Sequence, residues 1–208
     1  PFIGAGIVKL DRTIVGGGLE YENSHNVFEF RNQFILGFDF DSMKDDRRRF
    51  DNLNGSTGEL QFEQNEKAKT LGLFLQEKFF INSYTSVLAG LRYDHVDFEI
   101  HDKFLSNGDQ TGELEFNEMT YSIGLSYNPT NFLNYYFNYS TAFETPTFTE
   151  FANPSSNGTL GGFANVSAQK SSGYELGMRL NTNEKFNMSL VYYHLDVEDE
   201  VTTVSNVD

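Results

Sequence analysis

Apolar and polar residues alternate one by one along most of this chain, and the alternation persists over unusually long segments. In residues 120–128, for example, large apolar side chains occupy every odd position from Tyr121 to Tyr127, and small or polar residues occupy the even positions. Side chains of successive strand residues point to opposite faces, so this spacing predicts β-strands with one apolar and one polar face. The segments exceed the roughly five or six residues of an ordinary strand and fit the roughly nine to eleven that a tilted strand needs to cross a bilayer.

The same spacing divides the chain into strands and connections. Strands are predicted over residues 2–8, 13–22, 26–40, 70–80, 85–98, 114–127, 133–140, 174–181 and 186–192. Short connections are predicted at 23–25, 81–84, 128–131 and 182–185, and long ones at 41–69, 99–113 and 145–172. Because long and short connections alternate, the long loops lie at one end, which is typical of outer-membrane barrels. The chain is therefore predicted to be all-β, with antiparallel up-and-down strands that form part of a transmembrane β-barrel.

The composition narrows the possible partners. Thirty Asp and Glu against fifteen Lys and Arg give a formal net charge of -15, which would repel a phosphate backbone, so no nucleic acid is expected as a partner. The chain has no cysteine, which removes disulfides and thiolate metal sites. No run approaches the eighteen or so consecutive apolar residues of a membrane helix, so a membrane location requires strands that close and satisfy every backbone hydrogen bond.

Periodicity alone leaves open which medium the apolar faces touch. A complete soluble β-sandwich or small barrel that binds a ligand would turn these faces inward. A small independent outer-membrane barrel of about eight strands, or part of a larger one, would turn them outward, with Leu91, Leu125 and Leu176 exposed to lipid. The tyrosines that lie toward the ends of apolar faces, as rings at a membrane boundary would, are Tyr121, Tyr127, Tyr174 and Tyr192.

Four short motifs occur in an order that resembles one known family. Residues 71–76 and 89–94 read LGLFLQ and AGLRYD in one-letter code, residues 139–150 read YSTAFETPTFTE, and residues 192–200 read YYHLDVEDE. A variable stretch before the last motif leads into Tyr174-Glu175-Leu176-Gly177, although the prolines usual there are replaced by other residues. This ordered set resembles the C-terminal part of the β-barrel of TonB-dependent outer-membrane receptors.

The resemblance implies a barrel of about 22 strands with a plugged lumen, of which residues 1–208 would form one partial barrel domain of roughly eight or nine strands. No plug-like segment is recognised in the sequence. The resemblance further implies a location in the bacterial outer membrane and a receptor and transporter for a scarce nutrient complex, not an enzyme. A ferric siderophore is the leading cargo, ahead of cobalamin, haem and glycans. The implied partners are this complex, outer-membrane lipid, and the TonB energy-coupling system acting through a plug outside this chain.

One charged segment is a candidate ligand site. Arg47, Arg48 and Arg49 follow a group of aspartates and fall within the predicted 41–69 loop. Arginine forks pair well with carboxylates, phosphates or the anionic groups of a chelated metal complex, so these residues are predicted to bind cargo. The alternative is a solvated loop whose charges neutralise each other or bind phosphates at the membrane surface.

No catalytic, metal or cofactor site is predicted. The four histidines, His25, His95, His101 and His194, are far apart in the sequence and do not match zinc-ligand spacings. Asp94 and His95 are adjacent and would point to opposite faces of one strand. The glycines do not form a dinucleotide-binding fingerprint, and the acidic stretch from Asp109 to Glu118 lacks a calcium-loop pattern.

Overall fold

The computed structural model of the chain describes residues 6–27, 29–153, 162–182 and 186–200. In chain order the elements in these ranges are β1 (Ile7–Val27), β2 (Phe30–Leu53), β3 (Ser56–Phe80), β4 (Thr85–Asp102), a 3-10 turn (Leu105–Asn107), β5 (Gly112–Thr130), β6 (Leu133–Glu144), α1 (Phe148–Phe151), β7 (Ala152–Asn153), β8 (Gly162–Phe163), β9 (Gln169–Thr182) and β10 (Phe186–Glu198). No helix among these residues has the length and apolar character needed to span a membrane.

Eight strands form one antiparallel sheet in the order β1-β2-β3-β4-β5-β6-β9-β10, and β7 pairs separately with β8. The predicted all-β, up-and-down architecture with about eight long strands is confirmed. The sheet is not closed, since β1 and β10 are its two edges. The alternative of a small independent barrel is therefore wrong. We call the end with the β1–β2, β3–β4 and β5–β6 connections the short-turn end, and the opposite end the long-loop end.

One face of the sheet, which we call the outer face, carries a continuous band of apolar side chains. The band is built from rows that cross the strands in register, such as Val87, Leu125, Phe137, Leu176 and Tyr192. Leu91, Leu125 and Leu176 are 44%, 44% and 49% exposed, so they are not sealed in a dry centre. The outward orientation of the apolar faces is confirmed, and the soluble sandwich or small-barrel alternative is wrong.

Tyrosines lie at the margin of this apolar band. On β9 and β10, Tyr174 and Tyr192 are the last large outer-face side chains before polar ones, and their ring centroids are 6.2 Å apart. Tyr121 of β5 and Tyr139 of β6 form a similar pair at 6.0 Å. Amphipathic rings are favoured where hydrocarbon meets the polar headgroups, so these pairs define the edge of the membrane-facing surface at the long-loop end.

The apolar residues change faces part-way along β4 and β5. Up to Tyr93 the outer face of β4 carries Val87, Leu91 and Tyr93, whereas Val96, Phe98 and Ile100 lie on the opposite, inner face and are buried. Phe116 on β5 is buried on the inner face in the same way. The register between β4 and β5 has no shift, so the change comes from the sequence and not from a bulge. A strand that leaves lipid and enters water needs this reversal, because its outer side must become polar.

The segment between β6 and β9 folds back over this part of the inner face. Phe148 and Phe151 of α1 pack against Phe98, with ring centroids 5.2 and 5.3 Å away. The Glu150 carboxylate accepts hydrogen bonds from the N–H and the hydroxyl of Thr147, which holds the start of the single helical turn. We call the buried set Phe98, Phe116, Phe148 and Phe151 the aromatic cluster.

The predicted long connection over residues 41–69 is wrong. β2 continues to Leu53 and β3 begins at Ser56, so only Asn54 and Gly55 join them. Both turn residues have positive φ, 53° and 94°, as a type I′ turn in a two-residue hairpin requires. Hydropathy does not alternate here because both faces are polar above the apolar band. A search for apolar spacing therefore does not detect these strand segments, which carry charged residues on both faces.

The first hairpin also differs from its prediction. β1 is continuous from Ile7 to Val27, so residues 23–25 are strand and the chain reverses between Val27 and Phe30. Of the separate strand predicted over residues 2–8, Ile7 and Val8 belong to β1, and residues 2–5 lie outside the described ranges.

The remaining connections follow the predicted pattern with shifted limits. The reversal at 81–84 is confirmed, and the one predicted at 128–131 lies at residues 131–132. β4 extends to Asp102, which shortens the next connection, and the long segment after β6 is confirmed with α1, β7 and β8 inside it. Most of the last predicted turn, residues 183–185, lies outside the described ranges.

The ladder between β5 and β6 is shorter than its neighbours. It ends at Ser122 and Ser140, although both strands continue toward the long-loop end. Just beyond, the Thr141 hydroxyl accepts a hydrogen bond from the Tyr121 N–H at 3.0 Å and donates to the Tyr121 carbonyl at 3.4 Å. This side chain replaces the backbone partner where the β5–β6 ladder ends, while β6 stays paired with β9 as far as Glu144.

Candidate functional site

The three arginines predicted to bind cargo lie on strand β2 and not in a loop. Strand alternation divides them between the two faces of the sheet. Arg47 and Arg49 face inward, and Arg48 faces outward, where its Nε is 3.1 Å from the Glu63 carboxylate. Two of the three residues therefore share a surface, and the third is directed away from it.

Arg47 and Arg49 converge on one aromatic ring. Their guanidinium carbons lie 5.4 and 5.6 Å from the ring centroid of Phe62, which is directly opposite Arg49 on β3 and only 5% exposed. A guanidinium stacked on a ring keeps its N–H donors free at its edges. Arg49 forms no ion pair with any residue that the structure describes. We call Arg47, Arg49 and Phe62 the arginine pair site.

Two buried carboxylates lie next to this site on the inner face. Asp45 is 2% exposed and accepts hydrogen bonds from Arg12 at 2.5 and 2.8 Å. Glu66 is 3% exposed, and its Oε1 is 3.3 Å from Arg47. Burial raises the pKa of Glu66, and the nearby Arg47 opposes that rise. Arg12 and Arg47 are therefore paired with these two carboxylates, whereas Arg49 has no ion-pair partner among the described residues.

A second charged group lies further toward the short-turn end. The Arg92 guanidinium donates to Asp39 at 2.8 and 3.0 Å and to Asp94 at 2.6 to 2.9 Å. Gly72 is paired with both aspartates in the sheet register, and the guanidinium lies directly over it. A Cβ at Gly72 would come within 2.0 Å of an Arg92 nitrogen, so the absence of a side chain provides the space for this ion-paired arginine.

Beyond this group the inner face is uncharged over much of its surface and rich in hydrogen-bonding groups. A concave region of about 590 Å³ at the short-turn end is lined by amide and hydroxyl side chains, among them Gln33, Gln76, Asn134 and Asn138. Arg179 stacks over the Tyr136 ring at 4.6 Å in the same region. Polar groups therefore line the inner face from the arginine pair site to the short-turn end.

The described residues hold no group of three or more histidines, aspartates and glutamates arranged to bind a metal ion. Asp94 lies on the inner face against Arg92, and His95 lies on the outer face, where its Nδ1 is 2.8 Å from Asn117 Oδ1. The two adjacent residues do not share a site. The burial of Val96, Phe98 and Ile100 on the inner face could have been predicted from the sequence, because the shift of apolar residues from odd to even positions after Tyr93 is visible there.

Solved structures of similar fold superpose on this sheet of long strands. The ferric citrate transporter FecA in its unliganded form superposes on 99% of this chain with a TM-score of 0.75 at 15% identity. The ferric-catecholate import receptor Fiu from E. coli K12 covers 91% with a TM-score of 0.67 at 13% identity. The alcaligin outer membrane receptor FauA from Bordetella pertussis covers 95% with a TM-score of 0.66 at 20% identity. At these identities the similarity shows the fold, and the chain spans 31% of the length of each of the three.

The sequence agrees with the structural similarity. The model of the family described as TonB dependent receptor-like, beta-barrel matches residues 7–208. Members of this family are bacterial outer-membrane proteins. The exposed apolar band, the polar inner face and the up-and-down order of long antiparallel strands are features of such a barrel wall. The chain belongs to the TonB-dependent receptor β-barrel family and forms an eight-stranded arc of such a barrel.

Proposed function

We propose that this chain supplies part of the wall and external mouth of an outer-membrane receptor that imports a ferric siderophore. The transport is energised by TonB through a plug that is not among these strands, and the chain binds and passes its cargo without chemical conversion. Family membership supports the receptor role. The choice of cargo is supported by the relatives of similar fold, which include receptors for ferric citrate, a ferric catecholate and alcaligin.

The observation that carries the proposal is the arginine pair site. Arg47 and Arg49 present planar donor groups on the inner face, close to the long-loop end, which is external in barrels of this type. Carboxylate, catecholate and hydroxamate oxygens of an iron chelate are anionic or strongly polarised, and guanidinium groups bind such oxygens with two parallel hydrogen bonds. Arg49, which has no ion-pair partner among the described residues, has a guanidinium available for the anionic groups of such a complex.

The rest of the inner face provides a continuation of this route. Arg92, held by Asp39 and Asp94, and the amide-lined region beyond it offer hydrogen-bond donors and acceptors at successive depths. A complex that moves inward can exchange its hydrogen bonds one group at a time, so it does not have to lose them all at once. We propose this sequence of polar groups as the wall of the translocation path.

The test compares two variants of the full-length receptor. Arg47→Gln combined with Arg49→Gln removes both inner guanidiniums, and Arg48→Gln removes only the outer one. Each charge-assisted hydrogen bond contributes about 1.5–3 kcal/mol, so the double variant should bind at least about tenfold more weakly. Binding is measured by isothermal titration calorimetry with ferric citrate, a ferric catecholate and a ferric hydroxamate. For the chelate that the unmodified receptor binds, Arg48→Gln should leave the affinity unchanged.

Equal losses in the two variants, or no loss in either, would show that the arginine pair site does not recognise cargo. Binding of none of the three chelates by the unmodified receptor would overturn the siderophore proposal itself. Heat-dependent gel mobility and uptake of radiolabelled iron by cells serve as checks that the variants are folded and inserted.

A further inference from the structure

The concave region of about 590 Å³ at the short-turn end differs in charge from the chain as a whole. Among the described residues that line it, Lys78 and Arg179 are cationic and none is an aspartate or glutamate, although the sequence has twice as many acidic as basic residues. Its volume lies within the roughly 300–1,000 Å³ of pockets that hold small molecules. The inner-face residues that define it, and that we call the amide cavity, are Gln33, Gln76, Lys78, Asn134, Asn138 and Arg179.

Arg179 is held on one side of the cavity by an aromatic ring. Its guanidinium carbon is 4.6 Å from the ring centroid of Tyr136. Tyr136 is paired with Gly177, where a Cβ would overlap the ring, so the ring lies over the glycine backbone. Arg179 forms no ion pair with any residue that the structure describes. Glu175, four residues away on the same strand, approaches the Tyr136 hydroxyl and is not within ion-pair distance of Arg179.

Two more cations share a ring on the opposite side of the cavity. Lys78 Nζ is 5.1 Å from the ring centroid of Phe80, and the guanidinium carbon of Arg31, which is paired with Phe80, is 4.1 Å from it. Neither cation forms an ion pair within the described ranges. The inner-face carboxylates of the neighbouring strand β1, Glu20 and Glu22, are not part of the cavity lining. Cations stacked on rings keep N–H donors available to a ligand.

The lining between the two cationic sides consists largely of amides and hydroxyls. The Asn134 amide is fixed, because its Nδ2 donates to Ser126 Oγ at 2.8 Å and to Asn128 Oδ1 at 3.0 Å. Amide groups both donate and accept, so they can solvate the oxygens of a ligand whose charge is balanced by the cations. A compound with several carboxylate or catecholate oxygens fits this combination. A bare metal ion does not fit it, because the cations repel it.

The charge distribution along the inner face favours movement of an anion toward this cavity. Arg92 is shared by Asp39 and Asp94, so this group contains one cation and two anions. An anionic complex that leaves the arginine pair site therefore passes a group of net negative charge. The next cations along the face without an ion pair among the described residues are those of the amide cavity, and they attract the complex inward.

We propose that the amide cavity is a second, inner binding site for an anionic iron chelate, whose carboxylate or catecholate oxygens contact Arg179 or Lys78 before release at the short-turn end. This end is periplasmic in barrels of this type. The proposal rests on the proposed function, because cargo must first reach the lumen. The inner site acts after capture at the mouth, so it contributes to the rate of transport and not to the affinity of external binding.

The experiment separates capture from transport in cells that produce the full-length receptor. Capture is the binding of radiolabelled ferric citrate, a ferric catecholate or a ferric hydroxamate by de-energised cells, and transport is the uptake rate after energy is restored. The charge-removing variant is Lys78→Gln combined with Arg179→Gln, and the charge-conserving variant is Lys78→Arg combined with Arg179→Lys. The control is Lys9→Gln combined with Arg48→Gln, which removes the same charge from the outer face, where Lys9 stacks on Phe50.

The charge-removing variant should capture the anionic chelate as the unmodified receptor does and import it about tenfold more slowly, because one charge-assisted hydrogen bond contributes about that factor or more. The charge-conserving variant should keep most of the uptake rate, and the control should keep all of it.

Unchanged uptake by the charge-removing variant overturns the inner site, and so does weaker capture by it. Equal slowing in the charge-removing and charge-conserving variants also overturns it, because that result shows a role in packing and not in binding an anion. If the unmodified receptor captures only the ferric hydroxamate, the inner anion site is wrong and the proposed function stands. Capture of none of the three chelates overturns both.

Discussion

At the scale of single residues, strand alternation decides which side chains can act together. The consecutive arginines were predicted as one ligand-binding group, and the structure separates Arg48 from Arg47 and Arg49 by placing it on the other face. Their membership of a strand was missed because the surrounding aspartates, lysines and glutamines conceal the period of two. The type I′ signal of Asn54-Gly55 was present in the sequence and would have corrected the prediction.

Gly72 provides a direct test of the inner-face ion pairs. In Gly72→Ala the new Cβ would meet the Arg92 guanidinium and an Asp39 oxygen, so the arginine must leave its position between the two aspartates. We expect the unfolding free energy to fall by about 1–3 kcal/mol, as for other overpacked sites. Urea titration of the full-length receptor in detergent measures it. Gly17→Ala is the matched control, because a Cβ at Gly17 has nothing within 4 Å and stability should be unchanged.

The buried carboxylate of Glu66 predicts a pH dependence with a definite sign. Burial raises its pKa in the folded state above the ordinary value of 4.5, so the folded protein binds the proton more tightly than the unfolded chain does. The stabilisation from this group is present below pH 4.5 and is lost as the pH rises through the folded-state pKa. Stability measured from pH 4 to 7 should therefore decline less in Glu66→Gln than in the unmodified receptor.

A second variant tests the cause of that pH dependence. Arg47 opposes the rise in the Glu66 pKa, so Arg47→Gln should make the decline in stability with pH steeper. Parallel pH profiles for the unmodified receptor and both variants would be incompatible with this assignment. The same urea titrations supply the data, with the detergent and ionic strength held constant because salt weakens these interactions.

At the scale of elements, the shift of apolar residues from one face to the other marks where strands leave the membrane. The membrane-facing parts of β3 to β6 and of β9 and β10 were predicted correctly, because lipid on one side and polar groups on the other produce a clear alternation of hydropathy. The extensions beyond the membrane were predicted as loops. Their outer faces are polar and their inner faces hold either ion pairs or the aromatic cluster, which depends on contacts with α1 that are distant in the sequence.

The aromatic cluster is expected to hold the segment between β6 and β9 in place. Phe151 is fully buried, so Phe151→Ala should lower the unfolding free energy by about 3–5 kcal/mol and should make this segment sensitive to protease. Leu105→Ala is the control, because Leu105 lies at the same end but is 61% exposed. Equal protease resistance of the two variants would show that α1 is held by other contacts. The strands within the membrane should remain intact in both.

At the scale of the whole molecule, the account depends on which medium each face of the sheet contacts. The family membership, the exposed apolar band and the polar inner face agree on one arrangement, with lipid outside and a polar lumen inside. The sequence predicted this arrangement from periodicity together with the motif order. Cargo recognition and energy coupling belong to the proposal made for the complete receptor.

Spin labels at two adjacent residues test this arrangement most directly. The chain has no cysteine, so Leu125→Cys and Ser126→Cys can be labelled singly in the full-length receptor in liposomes if any cysteines elsewhere are first replaced. Leu125 lies on the outer face and Ser126 on the inner face of β5. We predict that the label at 125 is relaxed mainly by oxygen dissolved in lipid, and that the label at 126 is not. The account would be contradicted if oxygen dissolved in lipid did not relax the label at residue 125, or if it relaxed the label at residue 126 instead.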